Sequence, residues 1–172
     1  MDWPRLLLTL ALVAVCVVAI LLLRVGWKHR ATRQSGFDAP PAAPVVPGDQ
    51  LAEPLTGIYV STTNSGQWQD RIVVHGMGRR AKATARLYET GVLIDRDVED
   101  PIWIPVAALT SVSTAPGVAG KVMGLADGIL LITWTWTGKA VDSGFRADDP
   151  VAQAAWIHAA TTLLAEQPGA SE

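Results

Sequence analysis

The residues that could do chemistry in this chain are few, and they are mostly basic. Gly76-Met77-Gly78-Arg79-Arg80-Ala81-Lys82, with Arg86 beyond it, is the densest cationic stretch after the first third of the sequence. Guanidinium groups hold phosphate through paired hydrogen bonds, so Arg79, Arg80, Lys82 and Arg86 are the candidate binding residues, for a phosphorylated lipid headgroup. The competing interpretation is a solvated turn whose charges balance Glu89, Asp95 or Asp97 across a sheet. Gly117-Val118-Ala119-Gly120-Lys121-Val122 has a glycine pair and a lysine, but a phosphate loop needs a wider glycine spacing and a Ser or Thr after the lysine. A plain loop between strands is expected there. His29, His75 and His158 lie far apart without metal-ligand spacing, and no Gly-x-Ser-x-Gly elbow occurs. The single cysteine, Cys16, sits in an apolar run, which excludes an intrachain disulfide and a cysteine metal cluster. No catalytic constellation, metal or cofactor is expected. Trp68, Trp103, Trp134 and Trp136 could line a groove, although Trp134 and Trp136 continue the apolar face of Leu130 and Ile132 and so read as core.

The elements that must position these residues follow from a period of two. Ile58–Thr62, Arg71–His75, Lys82–Tyr88, Val92–Arg96, Ile102–Ile104, Leu109–Ala115, Gly128–Trp136 and Lys139–Phe145 read as strands, separated by turn residues such as Asn64-Ser65-Gly66 and Thr137-Gly138. The last segment changes period. Asp149-Pro150 is a cap followed by proline at the first helical position, and Trp156, Ile157, Ala160, Leu163 and Leu164 make one helical face that Pro168-Gly169 ends. Seven or eight short strands and one amphipathic helix over 55–166 imply a small sandwich or partly open barrel capped by that helix.

Upstream the composition is different. Leu6–Leu23 is a charge-free apolar run. As a helix of 18 residues it rises about 27 Å, close to the roughly 30 Å hydrocarbon core of a bilayer. Trp3 and Trp27 bracket it at the level of an interfacial aromatic belt. The run is too long, and ends too abruptly in Leu23-Arg24, for a cleaved signal peptide, and Val15 is bulky for a lipoprotein box before Cys16. Arg5 stands on one side, opposed by Asp2, while Arg24, Lys28, Arg30 and Arg33 stand on the other. Basic residues stay inside, so the expected topology is a single-pass cell-membrane protein with its N-terminus outside and its C-terminal domain cytoplasmic. The membrane flank is thus Trp3, Arg5, Arg24, Trp27, Lys28 and Arg30. Between this span and the strands, 34–54 carries Pro40, Pro41, Pro44, Pro47 and Pro54, and reads as a disordered, semi-extended spacer. The organisation is a short tail at 1–5, a span at 6–23, a basic flank and Pro-rich linker at 24–54, a β domain at 55–166 and a tail at 167–172. From Leu51 onward there are 9 Lys and Arg against 13 Asp and Glu, which excludes nucleic-acid binding as the main task.

Gly57-Ile58-Tyr59-Val60-Ser61-Thr62-Thr63, Trp68, Arg71-Ile72, Gly76, Gly78 and Arg80 together resemble the opening of actinobacterial membrane-anchored PH-like domain proteins. Gly91-Val92-Leu93, Ile104-Pro105, Ala119-Gly120-Lys121-Val122, Thr133-Trp134 and Asp142-Ser143-Gly144-Phe145-Arg146-Ala147 extend the resemblance to about Leu164. It implies a pleckstrin-homology-like fold, two near-orthogonal antiparallel sheets of roughly seven strands closed by a C-terminal helix. Such genes often neighbour pyrimidine-biosynthesis genes and carry labels such as export or membrane protein, or transporter. The resemblance brings no catalytic residue. The expected function is a membrane-anchored, non-catalytic binding or scaffolding module that holds a protein partner or a lipid headgroup near the inner leaflet. The alternative is an accessory subunit of a membrane transport or cell-envelope complex, and an enzyme of unspecified class is the remote third option. Membrane lipids contact the anchor in either of the first two cases, and no nucleic acid is expected as a partner.

Overall fold

The computed structural model describes residues 3–33, 36–115 and 128–167, without the side chains of 5, 6 and 25–33. These residues form two compact units, one up to Gly36 and one from Phe37 onward.

The first unit is a single helix, α1 (Trp3–Arg33). Within it Leu7–Arg24 is apolar and long enough to cross a bilayer, and none of that window is buried. A helix apolar on every side, with no core to enter, fits a lipid solvent better than water. Trp3, at the start of the helix, and Arg24, at the end of the apolar window, are exposed, whereas the side chains of Arg5, Trp27, Lys28 and Arg30 lie outside the described set.

The second unit is built on β1 (Leu55–Asn64), β2 (Ala81–Tyr88), β3 (Gly91–Arg96), β4 (Ile102–Pro105), β5 (Leu109–Ala115), β6 (Ile129–Trp136), β7 (Lys139–Ala147) and α2 (Pro150–Ala165). All pairings are antiparallel, in the order β4-β3-β2-β1-β7-β6-β5. The two expected sheets are therefore two halves of one ladder that share β1. Leu55–Tyr59 pairs with β2 and Gly57–Asn64 with β7, and the register with β7 shifts between Tyr59 and Ser61. A bulge of this kind bends and twists a strand, which lets one strand serve both halves. Gly57 permits the crossing, because a Cβ there would lie 2.2 Å from the carbonyl oxygen of Arg146.

Alternation sets the core. Ala83, Ala85 and Leu87, Val92 and Ile94, Ile102 and Ile104, Leu130, Ile132, Trp134 and Trp136, and Val141 and Phe145 all point inward. α2 closes the open side chiefly against β5 through Trp156, Ala160 and Leu163. Its start is the expected one: the Asp149 carboxylate accepts from the Val151 amide at 2.8 Å, and Pro150 opens the first turn.

Two expectations fail here. Arg71–His75 is not a strand. After a single bridge between Arg71 and Thr63, the chain curls through a 3-10 turn at Val74–Gly76, with His75 at φ 52° and Gly76 at φ 68°. Ile72 and Met77, both fully buried, fasten that curl, and Gly78 allows it to approach the Ile72 carbonyl. Nor is 37–54 a free spacer. Phe37 is buried against Trp136 with ring centroids 4.6 Å apart, and Lys139 Nζ lies over the Phe37 ring, 4.6 Å from its centroid. Farther along, the Thr90 hydroxyl donates to the Pro47 carbonyl, the Glu89 amide to Asp49 and the Leu51 amide to Leu87. Proline removes donors but leaves carbonyl acceptors and apolar rings, so a Pro-rich segment can be strapped to a sheet without joining it.

Candidate functional site

Three connections leave one end of the sheet, where β1, β3 and β6 finish: 65–80, 97–101 and the turn at 137–138. Side chains tie them to the sheet. The Asp142 carboxylate accepts from Ser65 Oγ (3.0 Å), the Gly66 amide (3.0 Å) and Thr133 Oγ1 (2.8 Å), which fixes the first connection to β6 and β7.

Below this end runs a buried hydrogen-bond chain whose direction is dictated by its termini. The Trp134 indole can only donate, and does so to Ser143 Oγ at 3.0 Å. The Met77 carbonyl can only accept, and takes the Tyr59 hydroxyl at 2.7 Å. Ser143 must therefore donate to Thr62 Oγ1 (2.7 Å), and Thr62 to the Tyr59 oxygen (2.7 Å). Tyr59, Thr62 and Ser143 are fully buried. Burial pushes the Tyr59 phenol well above its ordinary value, against the smaller opposing effects of the Thr62 hydrogen bond and the Arg96 and Arg71 charges. Its ring lies under the Arg96 guanidinium, 5.0 Å from centroid to Cζ.

Arg96 is the unexpected residue of the site. It stands on the inward parity of β3 with Val92 and Ile94, and is only 5% exposed. Its Nε and Nη2 donate to the Asp100 carbonyl at 2.9 and 2.6 Å, and its Nη1 to the Gly76 carbonyl at 2.9 Å. One buried cation thus staples 65–80 to 97–101. His75 Nε2 meets the Phe37 carbonyl at 2.9 Å, and its ring stands edge-on to Trp136. The 39–43 part of the strap lines an open cleft of about 510 Å³ together with His75, Leu93, Arg96, Asp100, Pro101 and Trp103. Sequence reasoning passed over Arg96 and Phe37. The available signals were an arginine in phase with buried aliphatics, and a lone phenylalanine heading a proline tract.

The basic residues singled out from sequence do not converge on one point. Arg79 and Arg80 precede β2 and are exposed, and Arg79 pairs with Glu99 at 2.9 Å, not with Glu89, Asp95 or Asp97. That partner raises the Arg79 pKa further. Lys82 and Arg86 point out of β2, opposite Ile58 and Leu93. Four residues of strand separate their backbone positions by about 13 Å. Asp95, Asp97, Glu99 and Asp100 follow directly on β3 and its exit, so the loop end carries both signs. Trp134, Trp136 and Trp103 are buried as core or sheet packing, while Trp68 remains 45% exposed. Among the described residues no three His, Cys, Asp or Glu side chains are grouped to hold a metal ion. His158 is on α2, away from His75, and Gly117–Val122 lies outside the described residues.

Residues 37–161 match a family described as bacterial PH domain-like. The match begins at Phe37, where the strap first enters the core. Among solved structures, that of Vav1 inhibited by an allosteric inhibitor is similar at 11% identity with a TM-score of 0.40, covering 71% of this chain and 28% of that one. The chain thus spans less than a third of that protein's length. No curated protein matches this sequence.

Proposed function

The chain belongs to the bacterial PH domain-like family, and on that premise we propose that it is a single-pass cell-membrane protein presenting a non-catalytic binding or scaffolding module to the cytoplasm. The observation that carries this reading is the pairing of an apolar 18-residue window, none of it buried, with a separate domain that has its own closed core. The charge asymmetry of Arg24, Lys28, Arg30 and Arg33 against Arg5 supports the cytoplasmic placement. The actinobacterial, membrane-anchored branch of the family is the finer assignment that we favour.

The partner in this reading is a protein held at the loop end. Lipid headgroups are the weaker choice, because Arg79 is already paired and acidic side chains alternate with the basic ones. A net-acidic domain does not concentrate at an anionic surface. Arg80, Lys82 and Arg86, with Arg79, serve as polar contacts around a partner, and the span acts as an anchor. An accessory subunit of a transport or envelope complex would instead use the span itself.

Topology is the deciding experiment. Val151, 79% exposed, is replaced by cysteine and challenged with a membrane-impermeant maleimide in intact and lysed cells. Labelling only after lysis supports the cytoplasmic module, and labelling of intact cells refutes it. Exchange of Leu7–Arg24 for an unrelated apolar helix then separates the two roles, since an anchor tolerates the exchange and an accessory subunit does not.

A further inference from the structure

From the cleft under the 39–43 strap, we propose that the domain has a small-ligand site that takes a carboxylate on an apolar body, with Arg96 as the group that recognises it. This goes beyond the anchored-module reading and does not depend on the span or its orientation.

The argument starts from the electrostatics of Arg96. A guanidinium that is 95% withdrawn from water is costly unless its charge is compensated. Here its bonded partners are two backbone carbonyls and the face of Tyr59, all of them neutral, while the Glu99 carboxylate, paired with Arg79, lies across Gly76 from its Nη2. Three N–H groups are used, through Nε, Nη2 and Nη1, so two of the five have no partner among the described residues. The residue nevertheless lines a cleft of about 510 Å³, a volume in the range of small-molecule sites. The rest of that cleft is the alanines and prolines of 39–43, Leu93, Pro101 and Trp103, together with His75 and Asp100. Apolar walls with one buried cation describe a complement to an organic acid.

A carboxylate fits better than a phosphate. Two free N–H groups match two carboxylate oxygens, and a bidentate guanidinium–carboxylate pair is among the strongest neutral-pH contacts a side chain makes. A phosphate dianion would bring its second charge toward Asp100, and besides Arg96 the lining offers it only the His75 imidazole. The carboxylate can come from a free small acid or from the C-terminus of a peptide. The two share the same chemistry at Arg96 and differ in how much of the cleft they fill.

The test uses the full chain in detergent micelles at constant ionic strength, with intrinsic tryptophan fluorescence as the readout because Trp103 lines the cleft. Butanoate, butanamide, and acetyl-Ala-Leu as its free acid and its amide are the probes. The expected result is a saturable response to the acids, at least tenfold weaker for each amide. Butanoate outperforming the peptide acid identifies a small-molecule site, and the reverse order identifies a chain terminus. Arg96→Lys keeps the charge without the fork and weakens the acids at least tenfold. Ala42→Trp, which fills the cleft from the exposed strap, abolishes the response even if Arg96→Lys fails to fold. Equal affinity for acid and amide, no saturation by either acid, or an unchanged response in Ala42→Trp overturns the proposal.

Discussion

Replacing Phe37 by alanine tests whether the proline-rich segment is part of the domain. Phe37 is 5% exposed, its ring in contact with Trp136 at 4.6 Å and with the Lys139 ammonium at 4.6 Å, and its carbonyl meets His75. Truncating a buried phenylalanine in a rigid core costs about 3–5 kcal/mol. The strap is different, because it can lift away locally and cap the loss at its own docking free energy. A cost of about 2–3 kcal/mol is therefore expected, below the rigid-core figure. For a domain of this size that corresponds to a fall in Tm of roughly 8–12 °C. The assay is thermal and urea denaturation of residues 37–167, alone and with Phe37→Ala. A lifted strap also lowers the urea m-value, since the native state then exposes more surface. A second fragment starting at 55, where composition alone would cut, should be at least as unstable as the variant. A Tm within about 2 °C of the parent for both would refute the reasoning, because a shift that small is under 1 kcal/mol.

Two further outcomes follow from the core. Tyr59 has its folded pKa raised by burial above the unfolded value of 10.0, so its contribution is complete below pH 10 and is lost as pH climbs toward the folded value. Above pH 10 stability should fall with an extra slope of up to about 1.4 kcal/mol per pH unit, absent in Tyr59→Phe; identical alkaline slopes in urea titrations of the two proteins would exclude this. Gly57→Ala should disrupt the β1–β7 ladder, because its methyl carbon would meet the Arg146 carbonyl at 2.2 Å and the Phe145 ring at 2.9 Å. Soluble protein with a parental Tm in that variant would show that the strands are not so closely apposed.

Several parts of this protein can be read from local sequence because local forces decide them. The inward sets Ala83-Ala85-Leu87 and Leu130-Ile132-Trp134-Trp136 are visible as alternation, since a pleated strand sends every second side chain to one face. The start of α2 is visible because Asp149 and Pro150 act on amides within the first turn. The apolar run of α1 is visible because length and composition alone make a helix suited to lipid.

The rest required the chain to meet itself. Arg71–His75 alternates like a strand, yet Ile72 and Met77 are fastened by β1 residues instead, and His75 and Gly76 turn left-handed to reach them. The basic stretch looks continuous in sequence, but strand geometry spreads Lys82 and Arg86 apart and Glu99 takes Arg79. Phe37 and Arg96 acquire their roles from partners remote in sequence: Trp136 and Lys139 for the ring, the Gly76 carbonyl and the Tyr59 ring for the guanidinium. Periodicity reports which way a residue faces, whereas the identity of what it faces is a long-range property. The sequence by itself thus determined the elements and their inward faces, while the strap, the stapled loop end and the cleft exist only through contacts between segments that folding brings together.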